Sequence, residues 1–117
     1  MELKEVYEKI GGDYDDVVRR LMGEKLVRKF LLKFLDDKSY ADLERTLSEG
    51  DYKEAFRAAH TLKGVCLNLG FTELYKVSAE LTEVLRGRET AGSDALYAQV
   101  KEQYTSLTEA IRELASN

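Results

Sequence analysis

The chain has 117 residues, 44% of them apolar and 34% charged, with a formal net charge of −4 and a pI near 5.1. That length suits one domain built on one core, and the acidic balance lacks the global positive field that draws proteins to nucleic acid. No apolar run approaches the ~20 residues needed to cross a bilayer, the first residues Met-Glu-Leu-Lys-Glu are charged where a signal peptide is apolar, and a lone cysteine, Cys66, leaves no disulfide framework.

These exclusions point to a cytoplasmic protein with neither membrane nor nucleic acid as partner. Proline is absent and strong helix formers dominate, so an all-α chain is expected. Glycines divide it into segments of helical length. Residues 2–10 form a short leading helix. Asp13 opens a second, with Val17, Val18, Leu21 and Met22 on its apolar side. From Glu24 to Asp36, residues Leu26, Val27, Phe30, Leu31, Phe34 and Leu35 make a wide stripe suited to a bundle core. Ser39 is placed to cap a helix running to Glu49, with Leu43 and Leu47 four apart.

Asp51 stands three residues before Glu54, an N-cap arrangement for a long helix over about 51–70 that closes at Gly70. Thr72 is placed to cap the next, which carries Leu74, Val77, Leu81, Val84 and Leu85. Gly87 to Gly92 reads as a turn. A last helix from about Ser93 to Leu114 holds Leu96, Val100, Tyr104, Leu107, Ile111 and Leu114 at three-to-four spacing. Long helices joined by short turns pack most simply as an antiparallel up-down four-helix bundle, with the short N-terminal helices capping one end. A single domain over residues 1–117 is expected, and, with no long apolar stripe left over, a monomer.

The helix over 51–70 carries the only histidine. At about 100° per residue, Ala55, Ala59, Leu62, Cys66 and Leu69 gather on one side and form its buried face. His60 then points about 140° from the centre of that face, toward solvent. Phe56, Lys63 and Gly64 lie one turn from it, and Lys53 and Leu67 two turns away on the same outer side. Gly64 costs a mid-helix position about 1 kcal/mol relative to alanine. It clears a side chain from where a phosphoryl group or an approaching partner needs room. Lys63 can bring an ammonium beside such a group. Lys53, Arg57 and Lys63 make this side locally basic, and Phe56 and Leu67 add apolar bulk, a combination that suits docking. For Phe56 the other reading is that it folds back onto a neighbouring helix; for Lys53 and Arg57, a solvated face.

Imidazole chemistry fits a carrier. A nitrogen nucleophile held within roughly 3–3.5 Å of phosphorus can attack an acyl phosphate in line. A partner can supply the metal and the electrostatic stabilisation. Metal or thiol catalysis is disfavoured, because His60 and Cys66 sit six positions apart, about 9 Å along one helix, on different sides. No further histidine or cysteine exists for a zinc site. Pairs such as Asp15-Asp16 and Asp36-Asp37 read as surface and helix-end charges, not as a hydrolase site.

The run from Ala59 to Gly70, Ala-His-Thr-Leu-Lys-Gly-Val-Cys-Leu-Asn-Leu-Gly, resembles the signature of histidine phosphotransfer domains. His60, Lys63, Gly64 and Gly70 stand at its histidine, lysine and glycine positions, and Asn68 at a frequent polar one. The resemblance implies phosphorylation of His60 at a ring nitrogen and exchange with an aspartate on a response-regulator receiver domain. It also implies that Lys63 steadies the phosphate and Gly64 gives it room. A histidine kinase would stand upstream, no cofactor is expected on this chain, and Mg is expected on the receiver. The chain departs at Val65 and Cys66, where small residues are common, and at Leu67, where a polar or small one is; these bear on partner preference. No ATP-binding motif is present, so transfer depends on partners. Two other readings stay open: a helical interaction module that keeps the bundle without the chemistry, and the substrate domain of a chemotaxis-type histidine kinase.

Overall fold

The computed structural model describes residues 1–87 and 91–116. Among these it contains seven helices and no strand: α1 (Leu3–Ile10), α2 (Tyr14–Arg20), α3 (Glu24–Phe34), α4 (Ser39–Ser48), α5 (Tyr52–Leu69), α6 (Thr72–Arg86) and α7 (Ser93–Ala115). Of the turn expected between Gly87 and Gly92, residues 88–90 lie outside the described residues.

The helix starts follow capping chemistry in some places and packing in others. The Asp51 carboxylate accepts the Glu54 N–H at 3.2 Å and so satisfies one of the orphan donors of α5. Asp13 does the same for Asp16 at 3.1 Å. Ser39 and Thr72 do not cap. Each is the first residue of its helix. Asp37 accepts the Ser39 N–H at 2.8 Å in place of a serine cap. Before Thr72 stands Phe71, which is buried, with its ring centroid 5.1 Å from that of Phe34 and 6.1 Å from that of Tyr7. Burial of an aromatic residue contributes more than a side-chain cap, so packing sets where α6 begins.

Two apolar residues expected on inner faces lie outside. Met22 falls beyond the end of α2, is 88% exposed and has φ 62°. The Gly23 N–H closes back on the Val18 carbonyl at 2.9 Å, which turns Met22 outward. On α3 the fully buried residues are Val27, Leu31 and Phe34. That narrower stripe leaves Leu26 at its margin and exposed.

Helix α5 packs on both α4 and α6, and α6 on α7. Tyrosines link α4 to α7: Tyr40 stacks on Tyr104 at 3.9 Å, and its hydroxyl lies 3.1 Å from that of Tyr97, which donates to Glu44. The core gathers Val27, Leu31, Leu43, Leu62, Leu81, Leu85, Leu107 and Ile111. Each such side chain contributes roughly 1.5–3 kcal/mol on burial. The ion pairs join exposed neighbours within single helices, where each contributes only about 0–1 kcal/mol. Burial holds this fold.

The first two helices close over the far end of α5. The Tyr7 hydroxyl donates to the Leu69 carbonyl at 2.7 Å in a buried setting, and burial pushes its pKa up, so it stays a donor. The Asp13 N–H donates to the Gly70 carbonyl at 3.2 Å. Two glycines permit this junction. Gly70 ends α5 with φ 70°, a left-handed conformation, and a Cβ on Gly12 would stand 2.6 Å from the Gly70 carbonyl oxygen and 2.7 Å from the Tyr7 ring. Tyr7→Phe, which keeps the ring but leaves the Leu69 carbonyl unpaired, is expected to cost about 1–2 kcal/mol. Urea unfolding monitored by circular dichroism measures it, and an unchanged midpoint would show the clasp to be passive.

Candidate functional site

Helix α5 presents two sides of opposite character. Ala55, Ala58, Ala59, Leu62, Cys66 and Leu69 are buried, which adds Ala58 to the stripe read from the sequence. Lys53, Arg57, His60, Thr61, Gly64, Leu67 and Asn68 are exposed. His60 therefore stands clear of the bundle. Its ring is met by Phe56, one turn earlier, with centroids 6.0 Å apart and planes 18° apart.

The residues singled out from the sequence divide between two flanks. Phe56 is half-buried against the core and carries the Arg86 guanidinium of α6 over its ring at 5.0 Å. Lys63, half-buried, forms no ion pair among the described residues. By helical angle Lys63 falls on the same side of His60 as Phe56. Arg57 turns the other way. It pairs with Glu54 at 3.3 Å and lines a groove with Asp42, Arg45 and Thr46 of α4. Lys53 is exposed near the start of the helix, and Leu67 is 61% exposed.

The space around Gly64 is open. A Cβ added there would meet nothing within 4 Å. Gly64 and Leu67 border a groove of about 390 Å³ with Asn68 and, from α2, Asp16 and Arg20. Arg20 donates to the Asn68 carbonyl at 3.1 Å and to Asp16 at 2.7 Å. That hydrogen bond from Arg20, with the charges of Arg20 and Arg19, holds the Asp16 carboxyl below the usual carboxylate range. Arg86 and Arg20 are the site's contributions from other helices. The helical period of α5 could not signal them, because they reach this face only through the packing of α6 and α2.

Cys66 takes no part. It is fully buried, and burial pushes its thiol pKa up, which opposes formation of the nucleophilic thiolate. Among the described residues no group of three or more His, Cys, Asp or Glu side chains is arranged to hold a metal. None of the described helices is long and apolar enough to cross a membrane.

An exposed histidine on a two-sided helix, with a cation close in sequence and a cleared position one turn on, defines a class. The model of the Hpt domain matches residues 29–114, and the chain belongs to that family, whose members are phosphorelay carriers of two-component signalling. The chain is similar to the sensory/regulatory protein RpfC of two strains of Xanthomonas campestris pv. campestris, 31% identical in each over 104 residues. The match takes in 74% of this chain and 14% of the relative, so the chain spans a small part of those proteins. No solved structure matches the chain significantly.

Two measurements follow from this geometry. Gly64→Ala fills empty space in a helix, so it is expected to raise stability by about 1 kcal/mol while slowing phosphoryl transfer roughly tenfold through lost room at the reacting centre. Unfolding midpoints and transfer rates on the same variant check both signs. For Cys66, the unfolded thiol ionises near pH ~8.5 whereas the folded one holds its proton. Its contribution is complete below that pH and is lost as pH rises above it. The urea midpoint should therefore fall more between pH 7 and 9.5 in the wild type than in Cys66→Ala.

Proposed function

We propose that His60 is the phosphoacceptor, through which this chain passes a phosphoryl group to and from the aspartate of a response-regulator receiver domain. The observation that carries the reading is the exposed imidazole opposite the buried stripe of α5. A neutral ring nitrogen attacks the phosphorus of an aspartyl phosphate; the N–P bond forms as the acyl O–P bond breaks, and the carboxylate leaves with the electron pair. The reverse step returns the phosphoryl group. Lys63 offers an ammonium that forms no ion pair among the described residues, and Gly64 leaves space for the phosphate and the incoming receiver. Lys53, Arg57 and Leu67 are proposed as the surroundings of the docking surface, whereas Phe56, half-buried and stacked on the imidazole, belongs with His60 itself. Of these Leu67 is the most exposed apolar contact, and Arg57 stands on the flank toward α4.

The rest of the reading concerns how the carrier is built and what it depends on. Residues 1–117 act as one monomeric domain. Helices α4 to α7, each tied to its chain neighbour by packing and short connections, form the antiparallel four-helix bundle, and α1 and α2 close its end. The chain works in the cytoplasm without an ATP site or metal of its own. The receiver provides Mg and a histidine kinase stands upstream.

Incubation with a panel of phosphorylated receivers tests the proposal. Wild type is expected to take up an acid-labile label, and His60→Gln, folded by circular dichroism, to take up none. Lys63→Ala should lower the transfer rate about tenfold, the equivalent of one charge-assisted hydrogen bond. Labelling of His60→Gln would refute the assignment. A chain that forms stable receiver complexes without uptake would be an interaction module instead, and labelling only by a kinase with ATP would mark a kinase substrate domain.

A further inference from the structure

The ring stack beside His60 lies partly outside the bundle's own needs. Phe56 is half-buried, yet its ring meets the imidazole at 6.0 Å with planes 18° apart, and the Arg86 guanidinium stands 5.0 Å from its centroid. Arg86 comes from the last turn of α6 and also pairs with Glu83 at 3.2 Å. A carboxylate on its own helix and a ring on the neighbouring one thus flank the guanidinium, and the ring contact is the one that crosses between helices. An exposed histidine otherwise samples several rotamers, since χ2 of an imidazole is broad, and each unproductive one lowers the fraction of encounters with nitrogen in line with phosphorus.

We infer that Phe56 is a positioning residue for the His60 nucleophile, and that Arg86, through its cation–π contact, sets the orientation of Phe56 from the adjacent helix. The inference rests on the reading of His60 as phosphoacceptor and adds to it a reason for an aromatic residue four positions earlier. A cation over an aromatic ring contributes about 0.5–1 kcal/mol at an exposed site, enough to bias a rotamer population severalfold. Phe56 then acts on rate more than on affinity. This separates it from a docking residue, whose removal weakens binding and leaves the saturated rate intact.

The test uses the full chain with two phosphodonors, a phosphorylated receiver domain and phosphoramidate, whose P–N bond breaks to release ammonia as the histidine N–P bond forms. Phosphoramidate is small and adapts to any imidazole orientation, whereas the receiver's aspartyl phosphate arrives on a fixed frame. For Phe56→Leu the saturated rate from the receiver is expected to fall about tenfold, with the half-saturating concentration and the phosphoramidate rate near wild type. Phe56→Tyr, which restores the ring, should recover the rate. Arg86→Gln should lower it severalfold, and Glu83→Gln, which spares the cation over the ring, should change it little.

NMR relaxation of the His60 ring should show greater mobility in Phe56→Leu and Arg86→Gln. A raised half-saturating concentration at unchanged saturated rate would overturn the inference in favour of docking. Equal rates in all variants would overturn it outright. Uptake from neither donor by the wild type would sink the carrier reading itself, and the order of the His60 ring in the variants then still decides whether Phe56 holds it.

Discussion

The burial of one side of α5 is the constraint on which the rest depends. Ala55, Ala59, Leu62, Cys66 and Leu69 are at most 4% exposed, packed between α4 and α6. Rotating the helix to hide His60 would bring Leu62 and Leu69 into water at a cost of roughly 2 kcal/mol each. The same rotation would carry Lys53 inward, where an unpaired charge costs several kcal/mol more. The imidazole is thus held outside by its neighbours' hydrophobicity. No local bond is required to hold it there, and the bundle can tolerate a reactive group on its surface because that group contributes little to stability.

Electrostatics on this side run against the protein as a whole. A net charge of −4 disfavours approach of an anionic acyl phosphate at long range. Exposed charges are screened beyond about 8 Å at physiological ionic strength. An anion reaching the proposed site would therefore meet the local set: Lys63, which forms no ion pair among the described residues, and Arg86, which lies over Phe56 and pairs with Glu83, with Arg57 and Arg20 engaged by Glu54 and Asp16. Cations already paired add little to an incoming anion, which is why Lys63 is the residue proposed to steady the phosphate. This ranking separates residues that composition alone treats as equal.

Much of the architecture was legible in the sequence. Proline-free segments with three-to-four apolar spacing became helices within two residues of the expected ends, and Asp51 and Gly70 bound α5 by the chemistry their residue types suggest. The misses share a cause. Ser39 and Thr72 have the right side chains for caps but were displaced by Asp37 and by the burial of Phe71. Met22 and Leu26 are apolar at near-periodic positions, yet one lies in a left-handed turn and the other beside a stripe narrower than its period allows. In the site, one helix's angular order places His60, Lys63, Gly64 and Leu67. It carries no information on which residue of α6 crosses over Phe56, because that depends on the register between two helices.

The glycines show the same boundary between what the chain explains and what it leaves to a partner. Gly70 is required by its left-handed φ and Gly12 by the carbonyl and ring that crowd it, so the molecule's own atoms account for both. Gly64 is different. It lies within a regular helix, nothing approaches it, and alanine there would favour folding. A position that keeps the less stable residue in open space, four places from an exposed imidazole, answers to something absent from the isolated chain. An open groove edged by Leu67, with room for a tetrahedral anion, suits the docking receiver proposed above. Empty space beside an exposed residue is uninformative on most helices; beside His60 and Lys63 it is what the proposed transfer needs.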